Sequence, residues 1–100
     1  MFFIYIIYSV PSDKYYVGFS DHPDRRLWEH NNKPFTTYTS KHRPWELRAV
    51  FECGPDRAYA MKIEKFIKRQ KSRSFIEHLI NCIELPASLA QLARVPFARD

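Results

Sequence analysis

The sequence predicts an α/β sandwich with a small antiparallel or mixed sheet and the element order ββαβαα. Three observations carry that expectation. Two runs rich in aromatic and β-branched residues flank a Pro-Ser-Asp turn near the N-terminus. A third such run stops at Gly54-Pro55, and the remaining long stretches carry apolar residues at helical spacing. At 100 residues, with 45% apolar and 16% aromatic content, the chain has material for one core and one domain.

The first strand is expected over residues 2–9, FFIYIIYS. The opening MFFIYIIYSV lacks the basic start of a signal peptide and is too short to cross a bilayer, so it reads as a buried strand. The second strand covers 14–19 and contains Gly18, whose interior position points to a bulge or a close backbone approach. A helix follows at about 22–32, with Asp21 as its cap and Pro23 in its first turn. Residues 33–45 are polar, threonine-rich and bounded by prolines, and form a loop. Residues 46–52 make the third strand. Asp56 caps a helix over about 57–71, a serine break precedes a second over 74–82, and Pro86 closes that region. The tail contains a helical LAQLA segment and has no evident role.

The net charge of +5 fits a polyanionic partner, either nucleic acid or an anionic membrane surface. The helices lack the clean cationic and apolar faces of a membrane-surface helix, which disfavours the membrane. Cys53 and Cys82 stand in apolar contexts, without C-x-x-C or zinc spacing. They read as reduced thiols of a cytoplasmic protein.

Several side chains form groups that can carry chemistry. Tyr5 and Tyr16, with ten residues between them, fall on neighbouring strands of the hairpin. His22, Arg26 and His30 recur at i, i+4 and share one helix face, which suits phosphate binding and proton transfer or is simply a solvated face. Glu64 is the one acid among six cations in MKIEKFIKRQKSR, flanking a stripe of Tyr59, Ile63, Phe66 and Ile67. It is either an ion-pair partner of Lys68 or a ligand for Mg²⁺ or Mn²⁺, ions that need only one or two protein carboxylates. The loop residues Thr36, Thr37, Tyr38, Thr39, Lys41, His42 and Arg43 suit a nucleic-acid backbone, or solvent.

Taken in order, these pieces resemble the GIY-YIG nuclease superfamily. The likeness is greatest to its small stand-alone members, which look like the N-terminal nuclease domain of the excinuclease C subunit. Phe3-Ile4-Tyr5 matches the GIY element and Tyr16-Val17-Gly18 the YIG element. RLWEHN at 26–31, the stretch from Thr39 to Leu47, and AMKIEKFIK at 60–68 match later family motifs. The chain departs from the pattern at Phe3, which replaces the glycine of the name, and at Phe19, where several relatives carry lysine. A late asparagine of some members has no clear counterpart.

The resemblance implies a three-stranded antiparallel sheet flanked by helices, with a nuclease-like domain over residues 1–82 and a tail over 83–100. It implies endonuclease hydrolysis of a DNA phosphodiester with one Mg²⁺ or Mn²⁺ ion, in repair or recombination, with a protein partner available for targeting. Glu64 would ligate the metal and Arg26 would neutralise phosphorane charge. Tyr5 would activate or orient water, with Tyr16 and His30 tuning it, and Gly18 would let backbone approach. Thr39, Lys41, Arg43, Lys68 and Lys71 would contact nucleic acid. The competing expectation is a nucleic-acid-binding module of the same fold that cuts nothing. As strand faces alternate, both phenols are expected on the side that carries Glu64.

Overall fold

The computed structural model describes residues 1–34, 37–81 and 85–97. Strands β1 (Phe2–Ser9) and β2 (Lys14–Ser20) form the N-terminal hairpin, followed by helix α1 (Pro23–Asn32) and a 3₁₀ turn at Thr39–His42. Strand β3 (Trp45–Gly54), helices α2 (Arg57–Arg69) and α3 (Arg73–Asn81), a second 3₁₀ turn at Ala87–Leu89 and strand β4 (Ala93–Arg94) complete the described chain. All pairings are antiparallel, in the order β2-β1-β3-β4.

The sheet therefore has four strands rather than the expected three, and the order ββαβαα gains a final strand. LAQLA is not a helix. Leu89 ends the 3₁₀ turn, and Ala93 already pairs with Glu52 of β3. The reason lies in the core: Leu89 and Leu92 are both buried within the main apolar cluster, which holds this stretch against the sheet. Cys82, the end of the expected second helix, lies outside the described residues, as does Thr36.

β1 is central, and its side chains are buried on both faces, so its apolar run is nearly continuous rather than alternating. Ile4 and Ile6 join Val17, Ala49, Phe51 and the α2 residues Ile63 and Ile67 on one face. Tyr5 and Ile7 join Trp45 and Val50 on the other, with Tyr16 and the α1 residue Leu27 packed against them. The two layers of helix thus take opposite sides of the sheet. In β3 the register against β1 slips at Arg48, since Ile6 faces Ala49 and Ile7 faces Leu47. This one-residue bulge resets the alternation, so Ala49 turns to the α2 side while Trp45 stays on the α1 side.

Helix ends follow local chemistry. Asp56 caps α2 as expected, accepting from the Ala58 amide at 2.9 Å. Asp21 does not cap α1. The capping position falls to His22, which offers no side-chain bond, and Asp21 pairs with Arg25 at 3.1 Å instead. The hairpin turn is tied to α3: Asp13 takes a left-handed φ of 54°, and its carboxylate receives Arg73 and the Tyr8 hydroxyl, each at 2.5 Å. Among the described residues no helix is long and apolar enough to cross a membrane.

Because Leu89 is 1% exposed within the main cluster, Leu89→Ala is expected to lower stability by ~2–4 kcal/mol in urea unfolding. A loss under about 1 kcal/mol would show that the stretch does not belong to the core.

Candidate active site

The site starts from the register of the hairpin. Tyr5 stands directly opposite Gly18, and its ring lies across the glycine. A methyl group on Gly18 would collide with the Oη, Cζ and Cε1 atoms of Tyr5, the last at 2.9 Å. The interior glycine is thus a close approach, by a side chain of the neighbouring strand. That leaves the Tyr5 hydroxyl beneath α1, where it meets His30 Nε2 at 2.8 Å.

His30 sits in the last turn of α1 and is 5% exposed. Its Nδ1 meets the Thr39 hydroxyl at 2.9 Å, and Thr39 meets the Thr37 hydroxyl at 3.2 Å. A continuous chain of hydrogen bonds therefore runs from Tyr5 through His30 and Thr39 to Thr37. The loop is fixed in turn: Trp45 Nε1 donates to the Thr39 carbonyl at 2.7 Å, and Arg43 Nε donates to the His30 carbonyl at 2.5 Å. Asn31 binds both backbone groups of Trp45, at 2.9 and 2.6 Å.

Burial makes this chain neutral. It pushes the Tyr5 phenol up to about 12, against a smaller downward pull from the Arg26 charge. It pushes His30 down to about 4, and the charges of Arg26 and Arg43 add to the effect. At neutral pH the pair is a phenol and an uncharged imidazole, so one ring nitrogen donates and the other accepts.

In front of His30 lies an open cavity of about 450 Å³, bordered by Tyr16, Arg26, Tyr38, Thr39 and Arg43. Tyr16 packs its ring edge against His30 at 5.1 Å between centroids, and among the described residues its hydroxyl has no hydrogen-bond partner. Arg26 is half-buried and binds Glu29 at 2.8 Å. On its far side the Tyr16 ring meets Lys68, whose Nζ lies 4.8 Å from the centroid. Lys68 also pairs with Glu64 at 3.5 Å.

Several expected residues thus come together, with differences. Tyr5, expected to meet water, is 1% exposed and lies behind the cavity, whereas Tyr16 borders it. The two phenols share the α1 face, while the apolar stripe of α2 packs on the opposite face. Contact is made around β2, the edge strand, where Lys68 reaches Tyr16 and the Glu64 charge acts on Tyr5. His22 is exposed and outside the group, although it shares the spacing of Arg26 and His30. Thr39, expected to touch nucleic acid, is 6% exposed with its hydroxyl committed to His30. Arg43 both borders the cavity and ties down the end of α1; Lys41 is exposed, and Lys68 and Lys71 line a neighbouring groove. The bond from Thr39 to His30 and the Asn31–Trp45 stitch had no signal in the sequence, because both join segments through tertiary packing.

Both readings of Glu64 find a physical basis. The ion pair with Lys68 exists, but at 3.5 Å it is long. Among the described residues no three His, Cys, Asp or Glu side chains gather to hold an ion. A single, 16% exposed carboxylate fits Mg²⁺ or Mn²⁺, ions that keep water and accept phosphate oxygens as further ligands.

The family model of the GIY-YIG catalytic domain matches residues 1–77. A structure-specific endonuclease subunit SLX1 of Meyerozyma guilliermondii is 32% identical over 74 residues, covering 69% of this chain and 25% of the relative. The subunit of the same name from Debaryomyces hansenii is 33% identical over 67 residues, covering 61% of this chain and 19% of the relative. That from Cryptococcus neoformans is 36% identical over 55 residues, covering 53% and 11%. The chain spans a quarter or less of the length of these relatives.

His30 gives the site a pH signature. Its folded pKa of about 4 lies below the ordinary 6.5, so between these values the unfolded chain binds the extra proton. Stability from this group is complete above about pH 6.5 and is lost as pH falls towards 4. Between neutral pH and pH ~4 the wild type should lose roughly 2–3 kcal/mol more than His30→Gln, as measured by urea unfolding. Equal losses in the two proteins would contradict the neutral, buried imidazole.

Proposed function

The chain belongs to the GIY-YIG catalytic-domain family, and on that premise we propose that it is an endonuclease that hydrolyses a DNA phosphodiester with one divalent metal ion. The observation that supports this reading is the convergence of Tyr16, Arg26 and His30 on one open cavity, with Lys68 over the Tyr16 ring and paired with Glu64. The name of the relatives, structure-specific endonuclease subunit, extends the proposal to branched or flapped DNA in repair and to a protein partner that targets the cut. A reducing, cytoplasmic setting suits Cys53, a free thiol that burial pushes up to about 11 and makes unreactive.

The roles follow from position and charge. Arg26 faces the cavity with donors suited to phosphate oxygens, and Glu29 holds its guanidinium in place. As charge builds on the phosphorus oxygens, a fixed guanidinium stabilises the transition state more than the ground state. Glu64 is the residue to hold Mg²⁺ or Mn²⁺, which when bound polarises the scissile phosphate and stabilises the leaving oxygen.

Tyr16 is the phenol that meets the attacking water. It borders the cavity together with Arg26, and Lys68 lies over its ring. Tyr5 and His30 act behind it. Their neutral hydrogen bond orients the imidazole beside the cavity.

The binding-only reading is favoured by one observation, the Lys68 ammonium already paired with the Glu64 carboxylate. A cleavage panel of duplex, single-stranded, flap and junction DNA separates the two. With Mg²⁺ or Mn²⁺ the wild type should nick, chelation should stop it, and Glu64→Ala or Arg26→Ala should lose at least ~100-fold in rate while keeping the wild-type circular dichroism. Tyr16→Phe should lose about 100-fold and Tyr5→Phe about 10-fold. Full activity in Glu64→Ala rules out the metal-dependent assignment. Salt-dependent binding without cleavage under every metal selects the binding module.

A further inference from the structure

Tyr38 stands where three surface concavities meet. It borders the cavity of Arg26 and Arg43, a groove lined by Tyr16, Lys68 and Lys71, and a third hollow that reaches Lys14 and Arg73. The residue is 49% exposed, one of the few large aromatic side chains left open to solvent among the described residues. It is also held in place. The Tyr16 ring lies roughly parallel at 6.3 Å, the His42 ring leans on it at 4.8 Å, and His42 is itself fixed by the Ser12 hydroxyl at 2.9 Å.

Cations follow the same line. Arg26 and Arg43 lie on one side of Tyr38, and Lys68 and Lys71 on the other. Lys71 has no ion-pair partner among the described residues and takes a left-handed φ of 47° just after α2. The line ends at Arg73, whose charge is taken up by Asp13 and Glu77. The result is a trough in which positive charges flank a fixed, exposed aromatic ring.

Resting on the nuclease reading above, we propose that this trough binds the unpaired strand of the substrate beside the cut, with one base stacked on Tyr38. A cationic groove with an aromatic platform suits single-stranded DNA, whose phosphates meet the cations and whose free bases offer π-faces. A duplex hides those faces within its own stack and gains only the phosphate contacts. Stacking on Tyr38 therefore rewards DNA that is already open beside the scissile bond. It gives the domain a physical basis for preferring branched over continuous duplex.

The test uses Glu64→Ala protein, so that binding is read without cleavage, and compares a flap with a 2-aminopurine in its unpaired arm against a matched duplex. Adding Tyr38→Ala should weaken flap binding roughly fivefold to hundredfold, leave duplex binding within about twofold, and abolish the 2-aminopurine quenching. Tyr38→Phe should keep both affinity and quenching. Lys71→Gln should weaken flap and duplex alike and lower the salt slope by about one. Unchanged flap affinity in Tyr38→Ala, or equal losses on flap and duplex, would overturn the proposal while leaving the nuclease reading standing. If the parent protein binds neither DNA, the nuclease reading itself fails and takes this inference with it.

Discussion

The hydrogen bond between Tyr5 and His30 organises the molecule. A phenol and an imidazole buried between a sheet and a helix would each be costly without a partner, and each is the other's partner. The bond sets the distance and rotation of α1 over the sheet, and so carries Arg26, one turn earlier on the same helix, to the cavity. It exists because Gly18 leaves room for the Tyr5 ring to lie across β2. Any side chain at that position displaces the ring and removes the hydroxyl from His30. A missing Cβ on one strand therefore determines where a guanidinium stands on a helix.

The second constraint is that β2 is an edge strand. α1 and α2 pack on opposite faces, and in the middle of a sheet their side chains could never meet. At the edge they can. Tyr16 points to the α1 side, while Lys68 comes around from α2 to cover its ring. An edge strand usually exposes unpaired backbone groups and invites aggregation. Here the edge is flanked by Lys14, Lys68 and Lys71, and charge protects it. The same cations supply the electrostatic attraction that a polyanionic substrate needs.

Local features of the fold were legible in the sequence. The strand runs, the Asp56 cap and the α2 stripe are each encoded within a few residues, and each forms as its spacing requires. The short fourth strand was not legible, because Ala93 and Arg94 carry no strand pattern and pair only because Leu89 and Leu92 fasten the chain to the core. The site divides in the same way. The residue types and their order along the chain were readable. What each one faces was not. That Tyr5 is buried while Tyr16 borders the cavity depends on which strand lies at the sheet edge, and that is settled by β3 pairing with the other side of β1. Thr39 looked like one more hydroxyl of a polar loop until Trp45 and Arg43 folded that loop under α1.

The electrostatics of the two shells then explain each other. The inner shell of Tyr5, His30 and Thr39 is uncharged and fully hydrogen-bonded, so it can be buried without a large penalty. The outer shell of Arg26, Arg43, Lys68 and Glu64 is charged and remains in contact with solvent, where pairing with Glu29 or between Lys68 and Glu64 costs little to rearrange. Burial, and after it the charges of Arg26 and Arg43, keep His30 neutral, which in turn keeps the inner shell intact.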